Sequence, residues 1–233
     1  MIIIGLIIGG VMLGQTMVKS ANIRSVMAQV EQFKTASNTF KSKYNCMAGD
    51  CANATSLLTG TANGNGNHRF DGGGARHTDN EVLLFWQHLS YAQLIPGNYT
   101  TVAPGAVYVA DINFPSSKLG GNYGVWDLRA YNAGGTYPAS GKLFPANYNN
   151  NIILGKPWGD TSSKIPLVNV MSGYDALEID TKFDDGLPAY GNIITWMNTS
   201  GYSGGCPTSD TPATAIYTKT NNITCSLFFL NSL

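Results

Sequence analysis

Residues 1–44 read MIIIGLIIGGVMLGQTMVKSANIRSVMAQVEQFKTASNTFKSKY, and the spacing of their apolar side chains decides the fold. Met1 to Gly14 carry no charge and no strongly polar group. Gln15 and Thr16 interrupt the run, Met17 and Val18 extend it, and Lys19 is the first basic residue. Beyond Lys19, apolar residues fall at Ile23, Val26, Met27, Val30, Phe33, Phe40 and Tyr44, at the spacing of one helical face. Lys19, Arg24, Gln29, Gln32, Lys34 and Lys41 cover the remainder, and no proline interrupts the stretch. The pattern predicts one helix of about 40 residues, on the order of 60 Å long. It is apolar all round in its first half and on one side in its second. Such a helix lies in two environments: the first half among other helices or lipid, the second against its own domain.

Three readings compete for the first half. A secretory signal needs a basic segment before the apolar run and a small-residue cleavage site after it, and neither is present. A transmembrane helix needs about 20 apolar residues, which Met1–Gly14 does not supply. A buried core helix conflicts with Gly5, Gly9, Gly10 and Gly14, each costing roughly 1 kcal/mol relative to Ala. Glycine at this spacing instead lets neighbouring helices approach closely.

The whole chain of 233 residues suits one sizeable domain plus an appendage. Apolar residues make up 43%, enough for a core, whereas charged residues make up 12%, about half the usual ~25%. The surface is therefore polar but uncharged. Fourteen basic residues balance fourteen acidic ones, so no net field draws the chain to nucleic acid. Four cysteines allow three pairings. Short-loop closure favours Cys46–Cys51 and Cys206–Cys225 in an oxidising compartment over four buried thiols. Neither pair has the tight spacing of a structural zinc site.

Residues 45–233 read as one α+β head without internal repeats, its sheet packed on the upper half of the long helix. A glycine-rich loop covers residues 59–80. Thr78 and Glu81 fit a reciprocal cap for a helix starting at Thr78, with Val82, Leu83, Phe85, Trp86 and Leu89 on its buried face. Strands are predicted at Ala106–Asp111, Tyr123–Leu128, Asn151–Leu154, Asn192–Met197 and Ala215–Thr218, with Cys225–Leu230 beside the last pair. A second helix is predicted over Met171–Lys182, stopped by Asp184-Asp185-Gly186.

The run GLIIGGVMLGQ followed by IRSVMAQVEQFKTASNTFKSKYN resembles the N-terminal helix of type IV pilins and the related type II secretion pseudopilins. NTFKSKYNCMAGDCANAT, FWQHLSYAQLIPG (residues 85–97) and IDTKFDDGLPAYGNI (residues 179–193) are similar to segments of one bacterial subgroup of pilin-like proteins. The resemblance implies a pilin fold with an N-terminal helix (1–44) and an extracellular head (45–233). It also implies a non-enzymatic structural role. Subunits of this family are held in the bacterial inner membrane and then packed with copies of themselves by an assembly machinery into a pilus or fimbrium outside the cell. On this chain the filament-core residues would be Ile2, Ile3, Ile4, Gly5, Leu6, Ile7, Ile8, Gly9, Gly10, Val11, Met12, Leu13 and Gly14. The family's mature chain begins with a methylated phenylalanine, freed from a basic leader, and a glutamate follows. Met1 aligns about nine residues inside that start, and nine more residues would bring the apolar run to bilayer length. The expectation is a truncated or mis-started chain, or a divergent member.

Other chemistry finds little footing. His68, His77 and Asp71 match no metal-ligand spacing, and His88 reads as a half-buried helix residue. Asn63–Asp71 lacks the alternating carboxylates and final glutamate of an EF-hand and reads as a glycine-rich turn. Asp180, Asp184 and Asp185 form an acidic set. Because some pseudopilins hold calcium in a head loop, the resemblance makes these a calcium candidate, against the plainer reading of a helix stop with Asp-capped turns and Lys182 relieving their repulsion. No nucleophile–base pair has recognisable context and no phosphate loop is present. No cofactor is expected otherwise. Four Asn-x-Ser/Thr sequons, at Asn53, Asn98, Asn198 and Asn222, read as chance. The leading function is a filament subunit. Its rivals are a minor pilin or secretion pseudopilin, and a membrane-anchored glycan-binding or hydrolytic domain. Adhesion, motility, DNA uptake and secretion are not separated by sequence.

Overall fold

A computed structural model describes residues 2–71, 80–102, 108–127, 143–157, 166–197 and 205–233. Helix α1 spans Ile2–Tyr44 without a break, as its spacing predicts. It ends where Asn45 turns to φ +53°, the left-handed conformation that asparagine tolerates at a helix end. Lys41 and Lys43 in its last turn oppose the partial negative charge there.

The upper half of α1 is the spine of the core. Ile23, Val26, Val30, Phe33, Ala36, Ser37 and Phe40 are buried, and Met27 and Tyr44 are partly so. Phe33 is the hub, with its ring edge-on to Trp86 at 4.9 Å and to Tyr123 at 5.1 Å. The Tyr123 hydroxyl lies 3.2 Å from Gln29 Oε1, and the Gln29 amide donates to Ser116 O at 3.1 Å. Apolar packing and polar stitching thus fix the rotation of α1 against the head.

A single turn, α2 (Ala54–Leu57), follows the first disulfide, and α3 (Glu81–Tyr91) is buried from Glu81 through Ser90. The main sheet contains β1 (Asn122–Trp126), β2 (Asn151–Pro157), β3 (Pro166–Val168), β5 (Ile193–Ile194) and β7 (Leu227–Phe229). Its order is β1-β2-β7-β5, with β3 joined to the end of β2, and every pairing is antiparallel. Tyr123 faces α1, and Phe228 on the opposite side meets Trp196 at 5.0 Å and Tyr148 at 5.3 Å. With both faces covered, the strands read as unbroken apolar runs, Ile152-Ile153-Leu154 and Leu227-Phe228-Phe229. Gly124 and Gly155 admit Pro166 of β3, because a Cβ on Gly124 would lie 2.2 Å from Pro166 Cδ.

A small second sheet pairs β4 (Met171–Ser172) with β6 (Ile223–Cys225), and β4 leads directly into α4 (Gly173–Phe183). The chain is therefore α+β, with a long N-terminal helix and a small antiparallel sheet.

Several expectations are corrected. Glu81 does not cap α3 reciprocally with Thr78: Asn80 is the N-cap without a side-chain bond, Glu81 points elsewhere, and Thr78 lies outside the described residues. The second helix begins at Gly173, because Met171 and Ser172 pair with β6. The described part of 106–111 holds only a bridge, Ala110 with Phe114, and Ala215–Thr218 holds only the bridge of Tyr217 with Pro207. The partner of β5 is β7.

Candidate functional site

Below its docked half, α1 leaves the head. Every residue from Gly9 to Val18 is exposed, and Val11, Met12, Leu13, Met17 and Val18 are between 54% and 73% exposed. These ten residues carry no charge. The described filament-core candidates, Gly9 to Gly14, therefore project together from the head. Ile2 to Ile8 continue the same helix. Among the described residues no helix is long and apolar enough to cross a membrane.

Ionic contacts mark the level at which the helix meets the head. Lys19 Nζ lies 2.8 Å from Asp175 Oδ1 in the first turn of α4. Asp175 and Ser172 form a capping box, with Asp175 N–H donating to Ser172 Oγ at 3.1 Å. Further along α4, Lys182 pairs with Glu178 at 2.5 Å and lies 3.5 Å from Ser20 Oγ. Lys182 does not relieve the aspartates that follow it, because its ammonium is held by Glu178, one helical turn away.

Asp180, Asp184 and Asp185 do converge, with carboxylate oxygens within 4.8 Å of one another. Each already accepts hydrogen bonds. Asp180 is fully buried and accepts from the Tyr217 hydroxyl at 2.8 Å and from Gly186 N–H at 3.1 Å. Asp184 accepts from Asn192 and Ile193 N–H, and Asp185 from Leu187 N–H. This is the helix stop with Asp-capped turns, and it explains the proximity of the three groups without reference to an ion. Burial pushes the Asp180 carboxyl up to about 7, with the charges of Asp185 and Asp184 adding to it against the two hydrogen bonds. Burial and the neighbouring Asp180 raise the Tyr217 hydroxyl well above its ordinary value.

The glycine-rich loop is moulded on two carboxylates that sequence reasoning did not single out for this role. Asp50 accepts from the consecutive N–H groups of Gly66, Asn67 and His68. Glu81 accepts from Asn65 N–H at 2.7 Å and Asp71 N–H at 2.8 Å. Burial pushes Glu81 up to about 7, outweighing these bonds. Asp71 accepts from the side-chain amides of Asn65 and Asn67, so Asn63–Asp71 is an internally bonded turn. His88 is fully buried, not half-buried: Nδ1 accepts from Gly49 N–H at 2.9 Å, and Nε2 faces Ala62 O at 2.9 Å. The ring is thus neutral with its proton on Nε2, and burial lowers its pKa. His77 lies outside the described residues. The signal for Asp50 was its place between Gly49 and Cys51, where a short polar side chain closes a tight loop.

The cysteines are bonded as Cys46–Cys51 and Cys206–Cys225, with Cα separations of 5.1 and 4.8 Å. The first locks the turn after α1, and the second ties residues 206–225 to the end of β6. No protein-family model matches the chain, and no curated protein or solved structure is significantly similar to it.

Proposed function

We propose that the chain is a structural subunit of a pilin-like extracellular filament, built on the pilin fold and assembled through its N-terminal helix. The observation that carries the reading is the change of environment along α1. One unbroken helix is docked in its own head over Ile23–Phe40, and it presents an uncharged apolar rod over Gly9–Val18. Burying one Val, Leu or Met side chain yields about 1.5–3 kcal/mol, and a rod of this kind on every copy supplies that gain only between molecules. A rod packed on copies of the chain makes heterologous contacts, which propagate without closing. The disulfides fit an oxidising extracellular setting. Before assembly the rod would rest in the bacterial inner membrane, with an assembly machinery as its partner.

Electron microscopy of sheared surface material, with peptide identification of the subunit, tests the reading. Thin filaments containing this chain are the expected result. A full-length product that is monomeric in detergent-free buffer, with Gly9–Val18 protected by its own head, overturns it.

A further inference from the structure

Cys46 differs from the other three cysteines. It is half-buried, whereas Cys51, Cys206 and Cys225 are fully buried. Thiol–disulfide exchange needs access to a disulfide sulfur, so a thiolate in solution reaches the Cys46–Cys51 bridge, at Cys46, before it reaches Cys206–Cys225.

The short segment closed by that exposed bridge is also the mould of the glycine-rich loop. The Asp50 carboxylate is buried. It accepts from Gly66 and Asn67 N–H on Oδ1, at 2.7 and 3.0 Å, and from His68 N–H on Oδ2 at 2.7 Å. Asp50 O accepts again from Gly66 N–H, and Cys51 O accepts from Gly64 N–H, both at 3.0 Å. The two backbones touch, since a Cβ on Gly64 would collide with Asp50 Cα. From outside the bridged segment, Glu81 takes the N–H groups of Asn65 and Asp71, and the Asn150 amide donates to His68 O at 3.3 Å. We propose that Cys46–Cys51 is a redox latch: closed, it holds Gly64–His68 on the head; opened by a dithiol, it releases that stretch and exposes the bond after Arg69 to proteolysis.

The exchange balances. One thiolate of the dithiol bonds to Cys46 Sγ, the S–S bond breaks, and Cys51 leaves as a thiolate that takes up a proton. The second thiol then displaces Cys46 in the same way. The protein gains two electrons and two protons, and the dithiol becomes a disulfide. Asn53 Oδ1, 3.2 Å from Cys51 Sγ, is placed to accept from the new thiol. With the bridge open, the turn after α1 regains conformational freedom, and the carboxylate it positions loses its place beneath three N–H groups. A chain whose first bridge has not formed is thereby marked for cleavage, and a bridged chain is spared.

The test titrates the full-length chain, kept in mild detergent, with dithiothreitol. Iodoacetamide labelling reads which cysteines have opened, and brief trypsin digestion with peptide mapping reads the cleavage rates. Cys46 and Cys51 should label at a dithiol concentration that leaves Cys206–Cys225 intact. Cleavage after Arg69 should then rise at least about tenfold, while cleavage after Lys219, inside the second bridge, keeps its rate. Replacing both Cys46 and Cys51 with Ser should reproduce the fast cleavage and remove the response to dithiol; if that variant does not fold, the wild-type titration decides alone. The latch is overturned if Cys206–Cys225 opens first. It is equally overturned if Cys46 and Cys51 are labelled while the Arg69 rate stays unchanged, or if the Arg69 and Lys219 rates rise together.

Discussion

Val18 and Val26 lie two turns apart on one helix, yet Val18 is 61% exposed and Val26 is fully buried. Both are the same apolar residue, and both are held in the same α1. What differs is the presence of a partner surface. Around Val26 the head supplies the buried core, with the Tyr123 hydroxyl of β1 3.4 Å from Val26 O. Around Val18 it supplies the Lys19–Asp175 pair and an open groove lined by Leu119 and Asn221. Apolarity in a sequence therefore fixes that a side chain seeks burial, and the periodicity tells whether one molecule is enough. A one-sided stripe is satisfied by one domain, and an all-round rod needs neighbours on every side.

The sharpest way to break this comparison is to charge the rod. Leu13→Lys should abolish filament assembly while shifting the chemical-denaturation midpoint of the head by no more than about 0.5 kcal/mol equivalent, since the site is exposed in the single chain. An unfolded head in that variant would mean the rod belongs to the core. The converse is Phe33→Ala. Removing the hub that touches Trp86 and Tyr123 should cost about 3–5 kcal/mol in urea unfolding. Replacing both Cys206 and Cys225 with Ala frees the 19-residue separation they close and should cost about 3 kcal/mol, again in the head alone.

A subtler contrast lies in pH. Asp180 and Glu81 each have a folded pKa near 7 against ordinary values of 3.8 and 4.5. Protonation therefore favours the fold. Their contribution is complete below the ordinary values and is lost as pH rises through about 7, on the order of 2 kcal/mol for each carboxyl. The thermal midpoint of the head should fall between pH 5 and 8, and Asp180→Asn should remove roughly half of that slope. The uncharged rod has nothing to titrate, so subunit release from intact filaments should be flat over the same range. The smallest effect is expected for Lys19→Ala. A half-exposed pair at the junction is worth about 0–1 kcal/mol, measurable as a small drop in the head's midpoint.

How far these regions could be read from sequence follows the same divide. α1 was legible because residues 23–44 keep one helical period and no proline interrupts the stretch before them. β2 was legible because Ile152, Ile153 and Leu154 are buried on both faces. β3, β4 and β6 were not, since two or three residues hold no period to detect, and their pairing is set by distant partners. Glu81 misled for a physical reason. Its carboxylate satisfies N–H groups of residues 65 and 71, whose path no local rule encodes, and the expected cap loses to them. Lys182 misled in the opposite way, because a local Glu178 one turn back outcompetes the nearby aspartates. In the candidate site, the projection of Gly9–Val18 was implied by the all-round apolar pattern. The groove was not, because Leu119 and Asn221 reach it from loops far along the chain.

The unbroken passage of α1 from rod to head also has a mechanical consequence. With no proline and no break in the helix at the junction, a pull on the head is carried along the helical hydrogen-bond ladder. In a single chain the docked half is braced by rings on its flank, whereas Gly9–Val18 is exposed and contains three glycines that weaken helix. Tension uncoils that stretch first. Each residue that goes from helix to extended chain adds about 1.8 Å, so these ten residues alone can lengthen by about 18 Å before the globule feels the load.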